Sequence, residues 1–172
     1  IQLMGLAAQS PQERHLVILP GTHSKHATLE HDHILHFNTF MTGEIYAVML
    51  NHSLLGKDLP EPCEDNPAFT LGVQNAQTAP YLSNALFSTR TLKLSGAISA
   101  AQVASYLSGL LIGSELAALS ETQAWIVGSP ALSERYTRAA SLLGITLTSV
   151  DGDSCFIHGM SKIYQSLDGA FA

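Results

Sequence analysis

Charge is scarce in this chain. Only 13% of its 172 residues are Asp, Glu, Lys or Arg, and eight basic residues face fourteen acidic ones, for a formal net charge of −6 at pH 7. A protein that grips a nucleic-acid backbone needs a positive field. No Lys/Arg stripe supplies one locally, so the composition argues against a nucleic-acid partner. Cysteine is nearly absent too: Cys63 and Cys155 stand far apart without any paired spacing. That leaves neither a disulfide framework nor a thiolate zinc site and fits a reducing cytoplasm. Long apolar runs are also missing. The closest approach to one, around Tyr106 to Leu119, is broken by Ser, Gly and Glu115 and is too short to span a bilayer, so no membrane partner is expected. The first residues, Ile1 to Leu6, have no initiator Met, no positive n-region and no long apolar h-region. They resemble an amphipathic helix already under way, and the expectation is a cut inside a longer polypeptide.

What the chain does have is an apolar fraction of 46%. Such a composition builds a core and excludes disorder, and the length suits one compact domain over residues 1–172. The weakly charged surface leaves room for partner contacts, a homo-oligomer among them.

From His15 to Phe40 the residues alternate as strands, HLVILP, HATLEHD and HILHFNTF, with turns at Pro20-Gly21 and around Asp32. A three-stranded antiparallel meander is expected. Thr42 can cap a helix in which Ile45, Tyr46, Met49 and Leu50 repeat at helical spacing, ending between Leu54 and Gly56. Lys57 to Asn66, with its prolines and acids, predicts a solvated connection. Pro67 then opens a helix to about Gln77, and Tyr81 to Leu92 forms another, punctuated by Ser95-Gly96. A long helix is expected from Ser99, burying Val103, Tyr106, Leu107, Leu110, Leu111, Leu116 and Leu119. Ala124 to Val127 predicts a strand, Gly128-Ser129-Pro130 a turn, Ala131 to Leu143 a helix closed by Gly144, and Ile145 to Val150 a strand. Asp151 to Asp153 is expected to be a loop, and Cys155 to Leu167 a last helix interrupted at Gly159. The pattern predicts a layered α/β fold whose antiparallel meander is extended by parallel strands. It resembles the ribonuclease H-like half of actin-type ATPases and sugar kinases, with helices on both faces.

The segment Leu19 to Lys25 concentrates chemistry. A hairpin tip presents backbone N–H groups without ladder partners, and Gly21 lets that backbone approach an anion. Thr22 and Ser24 add hydroxyls, His23 an imidazole and Lys25 a point charge. A polar tip whose side chains only satisfy its own backbone has the same composition. Of the eight histidines, His31 and His33 would share a strand face, a spacing that permits zinc or nickel. With no Cys nearby and Asp32 at an expected turn, solvated turn histidines are the simpler reading.

Five stretches resemble the 2-dehydro-3-deoxygalactonokinase family: Leu19 to Lys25; Phe40-Met41-Thr42-Gly43-Glu44; Leu86-Phe87-Ser88 with Arg90; Tyr106 to Glu115; and Ile126-Val127-Gly128-Ser129 with the helix that follows. His26 departs from the Trp usual in that family. The resemblance implies ATP-dependent phosphorylation of 2-dehydro-3-deoxy-D-galactonate at its terminal hydroxyl, giving the 6-phosphate in galactonate catabolism, with magnesium. Sugar kinases of this superfamily close a cleft between two lobes, and the first lobe begins with a strand-turn-strand resembling Asp-x-Gly-Thr-Thr. No such motif stands here. The resemblance therefore implies a C-terminal lobe, with the N-terminal lobe absent and the fragment inactive alone.

On the same resemblance Gly21, Thr22 and Ser24 bind phosphate and Lys25 neutralises charge, since phosphoryl transfer rests on positioning and charge neutralisation. His23 is a candidate proton acceptor, although related kinases often use Asp. Glu44 is a candidate to hold magnesium or orient a hydroxyl, while Thr42 and Glu44 also suit an ordinary helix start. Arg90 is a candidate partner for the substrate carboxylate, or for a structural salt bridge. Gly128 and Ser129 are expected to meet the nucleotide, and Gly159 to serve close packing. Two other functions remain open: a non-catalytic actin-like nucleotide-binding domain, and a metal-binding module on the histidine hairpin.

Overall fold

The computed structural model describes residues 1–10, 14–31, 33–61 and 63–168. Asp32, at the second expected turn, lies outside the described residues. The chain divides into two compact units, one of residues 1–40, 121–137 and 145–172, the other of residues 41–120 and 138–144.

The first unit is built on a five-stranded sheet of order β3-β2-β1-β4-β5. β1 (Arg14–Leu19), β2 (Ser24–Glu30) and β3 (His33–Phe40) form the antiparallel meander, and β4 (Gln123–Gly128) and β5 (Thr146–Asp151) extend it in parallel from β1. Helices α1 (Gln2–Gln9) and α7 (Gly152–Asp168) pack together in this unit. Val17, Leu29 and Val127 from the strands meet Leu6 of α1 and Cys155 of α7 in one buried cluster. Burial drives the Cys155 thiol pKa up, and Asp151 adds to the effect.

Three expectations change here. β2 begins at Ser24, because Leu19 pairs with Lys25 across the hairpin, so the tip is shorter than the polar segment. No loop separates β5 from α7: Asp151 accepts a hydrogen bond from the Ser154 amide at 2.7 Å and caps the helix where the strand ends. Nor does Gly159 interrupt α7. It lies within the helix, and glycine stands there because a side chain would overlap the Ile1 carbonyl.

The second unit is helical among its described residues: α2 (Thr42–His52), α3 (Asn66–Thr78), α4 (Leu82–Ser95) and α5 (Val103–Leu116), with the end of α6 (Pro130–Leu142). Asp65 caps α3 through the Ala68 amide, and Gly96 ends α4 in the left-handed region. The long helix expected from Ser99 begins instead with a 3-10 turn, Ala100–Gln102, held by a Ser99–Gln102 capping box, and α5 stops at Leu116, before Leu119. α2 ends at His52, short of Leu54, where Ser53 turns extended and its hydroxyl donates to the Met49 carbonyl. α5 is buried nearly all round. Gly72 of α3 and Gly109 of α5 let the two backbones touch, each facing a carbonyl of the other helix. Among the described residues no helix is long and apolar enough to cross a membrane.

Candidate functional site

The parallel part of the sheet sets the geometry of the first unit. β1, β4 and β5 run the same way, so the segments leaving their C-terminal ends emerge along one edge. Open α/β sheets bind ligands at such an edge. From β1 comes the tip, from β4 the turn Gly128-Ser129 into α6, and from β5 the junction Asp151-Gly152 into α7.

These segments are in contact. A Cβ placed on Gly128 would lie 2.9 Å from Pro20 Cγ and 3.6 Å from Ser133 Oγ. Gly152 is a direct neighbour, since a Cβ there would come within 3.4 Å of the Gly128 carbonyl. Gly21, by contrast, faces open space, with nothing within 4 Å of its Cβ position. The structure thus sets Pro20, where the tip begins, against Gly128, and adds Asp151, Gly152 and Ser133 around that turn, which the sequence reading missed. A second strand–turn–helix passage, Val150-Asp151-Gly152, was the available signal. Its Asp-Gly pair has the composition of a loop, which hides the passage.

Thr22, His23 and Ser129 are exposed, as a ligand-facing surface requires. Lys25 is exposed as well, and its Nζ donates to the His23 carbonyl at 3.4 Å, folding the side chain back over the tip. Ser24 is fully buried. As the first residue of β2 it pairs with Phe40 across the β2–β3 ladder. The N-termini of α6 and α7 both start at this edge, and helix N-termini favour anions.

Histidines of the meander play different parts. His26 is buried against Phe40, with ring centroids 4.5 Å apart. His31 has φ 56 and sits in a turn, while His33 opens β3, so the two do not share one strand face as expected. No group of three or more His, Cys, Asp or Glu able to hold a metal occurs among the described residues.

In the second unit, Glu44 lies half-buried in the first turn of α2. Thr42 was expected to cap that helix. It is the first helical residue instead, and its buried hydroxyl donates to the buried Glu115 carboxylate on α5. That bond pins the start of α2 onto the central helix, two residues before Glu44. Arg90 donates to the Leu54 carbonyl at 3.4 Å, and one turn on Lys93 donates to the Lys57 carbonyl at 2.9 Å. Both therefore tie α4 to the segment after α2.

The 2-keto-3-deoxy-galactonokinase family model matches residues 1–163. The chain is 36% identical over 171 residues to the 2-dehydro-3-deoxygalactonokinase of Escherichia coli (strain K12), covering 96% of this chain and 58% of that protein. It is 36% identical over 175 residues to a Rhizobium meliloti (strain 1021) protein described as a probable 2-dehydro-3-deoxygalactonokinase, covering 96% of this chain and 57% of the relative. A crystal structure of a candidate 2-dehydro-3-deoxygalactonokinase from Sinorhizobium meliloti superposes with a TM-score of 0.88 at 35% identity, over 96% of this chain and 56% of that one. The chain thus spans a little over half the length of the relatives it matches.

Proposed function

The chain belongs to the 2-keto-3-deoxy-galactonokinase family, and from that premise we propose that it takes part in ATP-dependent phosphorylation of 2-dehydro-3-deoxy-D-galactonate at its terminal hydroxyl, giving the 6-phosphate. On this reading residues 1–172 correspond to the C-terminal lobe of such a kinase, and the sheet is ribonuclease H-like with helices on both faces. A cytoplasmic setting suits a sugar-acid kinase.

The observation that carries the reading is the packing of Pro20 against Gly128, which sets the tip beside the β4–α6 turn at the C-terminal edge of the sheet. Transfer of a phosphoryl group asks a protein mainly to position the reactants and to neutralise charge. The half-exposed Gly21 and exposed Thr22 offer backbone N–H donors and Thr22 a hydroxyl, with Gly21 giving close access. Lys25 adds positive charge once its side chain leaves the His23 carbonyl. Gly128 and Ser129 meet the nucleotide at the start of α6, and His23 accepts the proton of the attacking hydroxyl. Ser24, being buried, contributes by holding the tip on the meander. Glu44 orients a hydroxyl or holds magnesium, with the Thr42–Glu115 bond fixing its helix turn, and Arg90 recognises the substrate carboxylate after exchanging its Leu54 contact.

Magnesium in kinases is held largely by phosphates, with one or two carboxylates and waters, so an all-protein cage is not needed. The carboxylates of Asp151 and Asp153 beside the α7 start suit that mode. When bound, the ion supplies charge compensation on the phosphates. The reading is tested by incubating the full-length protein with ATP and 2-dehydro-3-deoxygalactonate and following ADP and the sugar-acid phosphate. Absence of both products from folded protein would sink it.

A further inference from the structure

Three residues among those described bury side-chain polar atoms without a hydrogen-bond partner: His15, Thr89 and Ser133. Buried polar groups are nearly always paired, so each one asks for an explanation. His15 packs on Trp125, near the start of β1. Thr89 lies within α4. Only Ser133 sits at the C-terminal edge of the sheet.

Its position is unusual for a helical serine. Ser133 is in the first turn of α6, a helix of 13 residues, and is 4% exposed. A serine there commonly turns its hydroxyl back to the carbonyl four residues earlier. The carbonyl of Ser129 does accept the Ser133 backbone N–H, at 2.9 Å, yet the hydroxyl does not use it. The hydroxyl lies instead beside Gly128, 3.6 Å from where a Cβ would stand, next to Pro20. An unpaired donor therefore coincides with a helix N-terminus that favours negative charge and with a strand-end turn that contacts the tip.

We propose that the Ser133 hydroxyl is a ligand-binding group that donates to a phosphate oxygen of the bound nucleotide. The inference rests on the nucleotide reading above and adds a residue to it. Rotation about χ1 redirects a serine hydroxyl, and the buried Ser133 oxygen meets the ligand once the tip gives way beside Pro20. In the absence of nucleotide the hydroxyl is unsatisfied, and removing it relieves a cost. In its presence the same hydroxyl holds the ligand. The two effects of one substitution therefore have opposite signs.

The experiment compares wild type with Ser133→Ala in the full-length protein, by calorimetric titration with ADP and with adenosine and by thermal melting without ligand. The expected result is about five- to tenfold weaker ADP binding, the scale of one lost hydrogen bond. Adenosine affinity stays unchanged, and the unliganded protein melts at the same or a higher temperature. Equal ADP affinity in both proteins overturns the proposal, as does a lower unliganded melting temperature, which would reveal a partner within the protein. Equal weakening for ADP and adenosine overturns the assignment to the phosphate chain. Wild type that binds no nucleotide at all overturns the parent reading together with this one, a pattern distinct from the others.

Discussion

The ring of Pro20 occupies the space where a side chain at residue 128 would begin: a Cβ on Gly128 would lie 2.9 Å from Pro20 Cγ and 3.2 Å from Cδ. One residue opens the hairpin tip and the other closes β4, and the parallel pairing of Val17 with Trp125 and Ile18 with Ile126 brings them level. The glycine at 128 is thus explained first by packing. Its proposed role at the nucleotide rests on what that packing brings together.

Gly128→Ala should therefore act on both counts. A rigid proline ring cannot swing aside as a long side chain could, so overpacking should cost about 1–3 kcal/mol. Displacing the tip should weaken ADP binding as well. Denaturant unfolding with a parallel ADP titration checks this, and an alanine variant equal to wild type in both would show that the contact is slack.

Gly109→Ala tests the second unit. Within a helix, alanine is favoured over glycine by about 1 kcal/mol. Here the added methyl would overlap the Phe69 carbonyl of α3, which is backbone and has nowhere to go. Net destabilisation of about 2 kcal/mol or more is expected in urea unfolding, from separation of two helices that touch. A stabilised variant would mean that the close crossing of α3 and α5 is wrong.

His15 should make stability fall in mild acid. It is 1% exposed, tilted against Trp125 at 5.6 Å between ring centroids, and without a well-formed hydrogen bond on either ring nitrogen. Burial lowers its pKa below the usual 6.5, with the Ser10 backbone opposing in lesser measure. The unfolded chain then binds a proton that the folded one resists. Stability is full above about pH 6.5 and is lost progressively as the pH drops below it. Melting temperatures from pH 8 to pH 5 should fall more steeply for wild type than for His15→Phe. Parallel curves would remove His15 as the cause.

Local patterns carried the order of elements well. Alternation marked the meander, Pro67 the start of α3, and Gly96 and Gly144 the ends of α4 and α6, because each acts through its own backbone. What escaped depended on distant partners. Gly159 looked like a helix break, and only the Ile1 carbonyl beside it explains why glycine stands within an unbroken helix. Ser24 looked like part of the tip until the Leu19–Lys25 register drew it into β2. Thr42 looked like a cap, whereas its hydroxyl goes to Glu115 on another helix. The tip was legible as a candidate anion site from composition alone. Its neighbours Asp151, Gly152 and Ser133 were not, since parallel pairing of β1, β4 and β5 is what sets them there.

Lys25 offers the most direct test of the central claim, that the tip handles phosphate in a sugar-acid kinase. The residue is exposed and its hydrogen bond to the His23 carbonyl is long, so Lys25→Ala should leave the melting temperature unchanged. Steady-state rates of ATP-dependent phosphorylation of 2-dehydro-3-deoxygalactonate should fall about 100-fold or more in the full-length enzyme, as expected when a charge-stabilising donor is removed from a phosphoryl-transfer site. Unchanged kcat and KM for both substrates would contradict the account.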